Sequence, residues 1–190
     1  MLSYDGEVIA SKLEVMSARQ AKTFAAACAE LLTRFFADGI PREAIDQGVI
    51  RSIVDTLWNS NELEEGYAGD SSRDSERLYS VLSGDYAEEL GVGEHAISGI
   101  YYALEELRSD DHGMAELVAR NLYEAADYYL VARPGFDITP ETAEREVIDS
   151  PLMQQALTFI AEVLSMAQDI PVHATRASIR NYAEDFTLIF

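Results

Sequence analysis

The chain has 190 residues, 34 of them acidic and 14 basic, which gives a formal net charge of −20 at pH 7. This charge repels phosphate backbones and anionic lipid surfaces, so the composition argues against nucleic-acid and membrane binding and favours a basic protein partner. With one cysteine and no apolar run near the ~20 residues that span a bilayer, the sequence predicts a cytoplasmic protein without disulfides.

Two helices are predicted at the start of the chain. Ile9, Leu13 and Met16 recur at helical spacing and indicate a first helix of about three turns. The segment 21–36 (AKTFAAACAELLTRFF) is apolar on nearly every side, which is typical of a central helix surrounded by its neighbours. Its alanines allow those neighbours to approach to the short end of the usual interaxial range of about 8–10 Å. One narrow polar stripe holds Arg19, Thr23, Glu30 and Arg34.

The ends of the central helix and the start of the next one are predicted from local signals. Ser17 with Gln20 predicts a capping box, and Gly39 predicts the C-terminal stop. The following helix is predicted to begin with Pro41 at its first position and to carry apolar residues as far as Trp58.

The middle of the chain changes character. An acidic, glycine-containing stretch predicts a loop over 59–74, within an acidic loop-rich region at 59–94 that includes a short helix at 75–82. Two longer helices are then predicted at 95–107 and 114–132.

The last part of the chain is also predicted to be helical. A helix begins at Pro151 behind a Ser150 cap, and a final helix covers about 173–185. The apolar tail Phe186–Phe190 is expected to lie against the helices. Together these elements predict an all-α, single-domain bundle of about eight helices over residues 1–190, organised around the Ala-rich central helix.

One polar group is predicted where the second and third helices meet; it consists of Glu30, Arg51, Asp55 and Trp58. Arg51 and Asp55 have the spacing of a helical ion pair, worth about 0.3 kcal/mol on an exposed face. Buried beside Trp58 and Glu30, the same residues would form a polar core network. The alternative is a ligand site between helices, but internal pairing is the favoured interpretation.

The same positions carry a family resemblance. The chain resembles the YjaG-like family of small bacterial proteins, a domain of unknown function, at Thr23-Phe24, Ala26, Glu30, Arg51, Ile53, Asp55 and Trp58. Weaker similarity continues through the YALEEL segment at 102–107 and around Ser150-Pro151. Because these are mainly core and helix-contact positions, the resemblance implies an all-helical fold and no particular reaction.

The sequence contains no strong motif for catalysis or for binding of a metal or cofactor. His112 and Glu116 face the same way on a helix, but two ligands are too few for a metal site. Gly91-Val92-Gly93 lacks the preceding strand of a dinucleotide-binding fingerprint. Cys28 lies in an apolar segment that disfavours a thiolate. We therefore predict no catalytic residue, no metal and no cofactor.

Five tyrosines, Tyr101, Tyr102, Tyr123, Tyr128 and Tyr129, lie on the hairpin that the two longer helices are predicted to form. Between residues 59 and 111 there are 14 acidic residues and only three basic ones, all arginines. Adjacent tyrosines lie about 100° apart on a helix, so they cannot all point inward. Exposed tyrosines beside carboxylates are typical of a protein-binding patch, and the alternative is a solubilising face. The predicted partner-binding residues are Glu62, Glu64, Glu65, Asp70, Glu88, Glu89, Tyr101 and Tyr102.

The sequence thus predicts a non-catalytic, acidic interaction protein that binds a basic partner. One concrete version is an immunity protein that blocks the basic cleft of a toxin, with carboxylates standing where phosphates would bind. The alternative is a small-molecule-binding or enzymatic helical domain with its polar site between helices. Self-association into a homo-oligomer is a further option.

Overall fold

The structure, a computed structural model, describes residues 2–59, 68–109, 112–132, 143–168 and 175–190. These ranges are helical and contain no strand, so the all-α prediction is confirmed. The nine α-helices within them are α1 (Gly6–Glu14), α2 (Ala18–Phe36), α3 (Gln47–Asn59), α4 (Ala68–Leu82), α5 (Gly93–Arg108), α6 (Gly113–Val131), α7 (Ala143–Asp149), α8 (Pro151–Gln168) and α9 (Thr175–Asp185). Short 3₁₀ turns lie at Ala37–Gly39 and Ala87–Glu89.

Helix α2 lies at the centre of the bundle, as its sequence predicts. It packs against α3, α5, α6, α8 and α9. The predicted capping box is confirmed, since the Gln20 amide donates to Ser17 Oγ and the Ser17 amide donates to Gln20 Oε1 over 2.8 Å. One contiguous apolar cluster receives residues from all nine described helices. The single-domain organisation of the whole chain stays a prediction.

Small side chains allow the helices around α2 to approach closely. Five alanines of α2, at positions 21, 25, 26, 27 and 29, are buried. On α5, a Cβ added at Gly99 would overlap with Leu32 Cδ1 and lie 3.4 Å from Asn121 Cβ. A side chain at position 99 would force Leu32 to move, so the glycine favours the close approach of α5 to α2.

The polar stripe of α2 is also covered by protein. Thr23 and Glu30 are buried, and the Thr23 hydroxyl donates to the Arg19 carbonyl over 2.8 Å. Arg34 Nη1 donates to the carbonyls of Ala183 and Phe186 at 2.7 and 3.0 Å. The stripe thus joins α2 to the end of α9 instead of facing water.

The predicted limits of α2 and α3 need correction. Helix α2 runs into the 3₁₀ turn at Ala37–Gly39, and Gly39 does not take the left-handed backbone conformation of a glycine cap. Helix α3 begins at Gln47 and not at Pro41. Asp46 fixes that start, because its carboxylate accepts from the Gly48 amide at 2.8 Å and its carbonyl accepts from the two amides that follow Gly48.

The predicted loop at 59–74 is wrong over residues 68–74, which belong to α4. Residues 60–67 lie outside the described part of the chain. Serines that suggest a loop in the sequence are instead buried on the inner face of α4, where Ser71 and Ser75 lie on the same side as Leu78. A helix that packs closely on α5 can bury small polar side chains there, so its apolar stripe is incomplete.

The C-terminal predictions are confirmed in the described residues. The Met153 amide donates to Ser150 Oγ over 3.2 Å and caps α8. The tail after α9 is irregular and lies on the bundle, with the centroid of the Phe190 ring 4.7 Å from that of Tyr129 and 6.0 Å from that of Phe36. In the described ranges, no helix combines the length and apolar character needed to cross a bilayer.

We predict that Gly99→Ala lowers the free energy of unfolding by about 1–2 kcal/mol, measured by urea denaturation. Overpacking against the buried Leu32 costs about 1–3 kcal/mol, and the gain in helix propensity returns up to about 1 kcal/mol. Gly39→Ala is the control, since its Cβ would meet only Val92 Cγ1 at 3.8 Å. A Gly99→Ala variant as stable as the wild type would contradict the close approach.

Candidate functional site

An open groove runs between α4 and α5. The two helices pack on each other and are joined by a short connection at 83–92; together we call them the α4–α5 hairpin. The groove has a volume of about 360 Å³, near the lower end of the range of about 300–1,000 Å³ that small-ligand pockets occupy. It is lined by Ser72, Ser75, Glu76, Tyr79, Tyr101, Glu105 and Arg108.

Three tyrosine rings form a continuous strip, of which Tyr79 and Tyr101 line the groove and Tyr102 lies behind Tyr101 as its ring neighbour. Tyr79 is 60% exposed, and its ring centroid lies 6.3 Å from that of Tyr101. The Tyr101 ring meets the Tyr102 ring edge to face, with 5.5 Å between centroids. Tyr101 and Tyr102 are both half-buried and pack against the core, so the strip is anchored on α5 and open to solvent at Tyr79.

Carboxylates and one arginine flank the tyrosine strip. Glu76 is exposed on α4, and on α5 Arg108 Nη1 donates to Glu105 Oε1 over 2.9 Å. Burial raises the pKa of Tyr101 above its ordinary value, Glu105 raises it further, and Arg108 acts in the opposite direction. The groove therefore combines negative charge with aromatic surface.

Ser75 gives the groove a buried polar group. The residue is 4% exposed, and its Oγ makes no hydrogen bond to any described residue. Buried hydroxyl groups in proteins are normally hydrogen-bonded. The oxygen itself has almost no accessible surface, so Ser75 lines the groove without offering this atom to a molecule in it.

The predicted partner-binding residues have different outcomes. Tyr101 and Tyr102 lie together in the tyrosine strip, and Glu88 and Glu89 are exposed on the 3₁₀ turn between α4 and α5. Asp70 belongs to α4, but its side chain lies outside the described part of the structure. Glu62, Glu64 and Glu65 lie outside it as whole residues.

Sequence reasoning missed several residues of the groove: Ser72, Ser75, Glu76, Tyr79, Glu105 and Arg108. Helical spacing could have found them. The α4 residues follow an i, i+3, i+4, i+7 pattern, and Tyr101 is followed by Glu105 and Arg108 at i+4 and i+7. A loop predicted over the first turns of α4 hides this pattern.

The structure brings together the four residues of the predicted polar group. Arg51 Nη1 donates to Glu30 Oε1 at 2.5 Å, and Arg51 Nη2 donates to Asp55 Oδ1 at 2.9 Å. Trp58 Nε1 donates to Glu30 Oε2 at 3.1 Å. Both oxygens of the buried Glu30 carboxylate therefore have partners on α3.

Helix α9 extends this polar group. Arg180 Nη2 donates to Asp55 Oδ1 at 3.0 Å, and its Nε donates to Glu184 at 2.8 Å. The guanidinium also lies 5.8 Å from the centroid of the Trp58 ring. Burial opposes the charge of Arg51, but its bonds to Glu30 and Asp55 outweigh that effect and raise the pKa of the guanidinium. The contacts tie α2, α3 and α9 together.

His112 and Glu116 have separate partners. His112 Nδ1 lies 3.2 Å from Glu106 Oε1, whereas Glu116 accepts from the Tyr4 hydroxyl at 2.8 Å and from Arg120 at 3.1 Å. Among the described residues, no group of three or more His, Cys, Asp and Glu side chains is arranged to hold a metal. Cys28 is fully buried, and burial raises the pKa of its thiol.

A second open groove, of about 570 Å³, lies between α8 and the C-terminal tail. Two of its polar side chains already bind the ends of the chain. Gln154 exchanges hydrogen bonds of 2.9 Å with the backbone of Leu2, and Gln155 Oε1 accepts from the Ile189 amide at 2.8 Å. These groups hold the terminal segments in place, and we therefore favour the α4–α5 groove as the candidate site.

The fold and the groove define an all-helical bundle with an acidic helical hairpin. No family model and no curated protein matches the chain. Its structure is similar to that of a DUF416 family protein from Shewanella baltica OS155, with a TM-score of 0.73, 15% sequence identity and alignment over 93% of each chain. At this identity the likeness shows the fold alone. It does not show that the chain belongs to the YjaG-like family.

We predict that Glu30→Gln lowers the free energy of unfolding by about 1–3 kcal/mol, measured by urea denaturation. The amide group has one oxygen for two donors, so its NH₂ group would face Arg51 or Trp58 and leave a donor unsatisfied. Glu184→Gln is the control; it removes a partly exposed ion pair and should change stability by less than about 1 kcal/mol. Equal losses in the two variants would contradict the importance of the buried carboxylate.

Proposed function

We propose that this chain is a cytoplasmic, non-catalytic interaction protein that binds a basic protein through the outer face of the α4–α5 hairpin. The observation that carries the proposal is the groove in which Tyr79 and Tyr101 lie beside Glu76 and Glu105. Membership of the YjaG-like family is part of the same proposal and adds no activity to it.

The charge of the hairpin supports a basic partner. Residues 68–109 include nine Asp and Glu residues and three Arg residues. Five of the acidic side chains, Glu76, Asp85, Glu88, Glu89 and Glu94, are exposed. Complementary charge raises the rate at which a basic protein encounters such a face and disfavours acidic competitors.

The aromatic residues can supply the binding affinity that exposed charges alone do not. Exposed carboxylates are screened by salt and contribute little affinity individually. Tyrosine is enriched in protein interfaces, where its ring buries apolar area while its hydroxyl stays hydrogen-bonded. The exposed Tyr79 beside the anchored Tyr101 therefore favours a docking face over a purely solubilising one.

An immunity protein is the most specific version of this proposal. A nuclease toxin needs a basic cleft to bind the phosphates of its substrate, and a helical hairpin rich in carboxylates can occupy such a cleft. Arginine and lysine in the cleft would then pair with carboxylates instead of phosphate oxygens.

We predict that the purified chain retains a basic protein from an extract of its source cells at about 0.1 M salt and releases it near 1 M salt, where the Debye length falls to about 3 Å. The retained protein, identified by mass spectrometry and then purified, should bind the chain directly. Glu88→Lys/Glu89→Lys should weaken that binding by about tenfold, equivalent to about 1.4 kcal/mol.

The matched control is Glu7→Lys/Glu14→Lys, which makes the same change in net charge at exposed positions of α1. Helix α1 packs chiefly on α6. The proposal fails if no basic protein binds directly, or if both double variants weaken binding equally.

A further inference from the structure

We propose that the α4–α5 groove binds one arginine side chain of a partner polypeptide, and that Arg108 pairs with one of its carboxylates until the partner arrives. This inference deepens the proposed function and rests on it. It concerns which side chain of the partner the groove takes, whereas the proposed function concerns binding of a basic protein to the whole outer face of the hairpin.

The residues of the groove match the chemistry of a guanidinium group. Its planar face can stack on the exposed Tyr79 ring, while its N–H groups reach Glu105 on one side and Glu76 on the other. A lysine ammonium is a more strongly hydrated point charge without a planar face, so the groove favours arginine.

Arg108 already forms an ion pair with one of the two carboxylates of the groove. Its Nη1 lies 2.9 Å from Glu105 Oε1, and its charge acts on Tyr101. Because Arg108 is exposed, this ion pair is held weakly and can exchange for one with an incoming guanidinium. Arg108 is therefore a competitor for the ligand.

Charge complementarity points to a cationic side chain as the occupant. Glu76 and Glu105 both line the groove, and Arg108 is the one basic residue among the lining residues. A guanidinium has five N–H donors in a fixed arrangement, so it can pair with both carboxylates at once.

The test uses a fluorescent arginine peptide and a lysine peptide of equal length and charge, with binding followed by anisotropy. We expect the arginine peptide to bind about two- to fivefold more tightly, the range of an exposed cation–π contact, and Tyr79→Leu to remove this preference. Equal binding of the two peptides to the wild type would overturn the inference.

Arg108→Gln gives a prediction of opposite sign. Removing the competitor should tighten binding of the arginine peptide by about two- to fivefold, the size of a surface ion pair. Arg77→Gln makes the same charge change at an exposed position of α4 and should have a smaller effect. The gain should vanish when Glu105→Gln is combined with Arg108→Gln. Equal effects of the two single arginine variants would contradict the role of Arg108.

Failure of this inference is distinct from failure of the proposed function. If a basic partner binds in a way that depends on Glu88 and Glu89 but not on Tyr79 and Glu105, the proposed function stands and the groove assignment is overturned. If the arginine peptide behaves as expected but no basic protein binds the chain, the groove assignment stands and the proposed function fails.

Discussion

The close packing of neighbouring helices on α2 is the constraint on which the rest of the structure depends. Five other helices pack on α2, and this is feasible because alanines occupy much of its surface. Close packing also removes space for side chains on the partners, as Gly99 on α5 illustrates. Protein interiors tolerate few voids and little overlap. The small residues of α2 and those of the helices that pack on it are therefore matched in size.

Burial of α2 makes the pairing of Glu30 obligatory. An unpaired carboxylate in this position would lose several kcal/mol of solvation, and Arg51 and Trp58 replace that solvation with hydrogen bonds. Such a network adds less to stability than its short distances suggest, because apolar residues could fill the same space. Its structural effect is to fix how α3 lies on α2 and, through Asp55 and Arg180, how α9 lies on α3.

Much of the fold could be predicted from the sequence, and the failures have physical causes. The capping box at Ser17 and the cap at Ser150 are local signals that tertiary contacts did not override. Pro41 gives the wrong start for α3 because the more decisive signal, the Asp46 cap, lies further along the chain. The first turns of α4 are not predicted because the buried residues there include Ser71 and Ser75. A search for the helical periodicity of apolar residues does not detect buried serines.

The candidate site was only partly predictable for the same reason. Tyr101 and Tyr102 stand out as adjacent aromatics on one helix, but Tyr79 joins them only through the packing of α4 on α5. That packing is also what suits the hairpin to binding. Helix α4 packs chiefly on α5, so the charged and aromatic side chains of its outer face are not required for packing of the core. The buried network around Glu30 and the groove therefore lie on different helices, which allows binding to change in variants that leave the stability of the bundle intact.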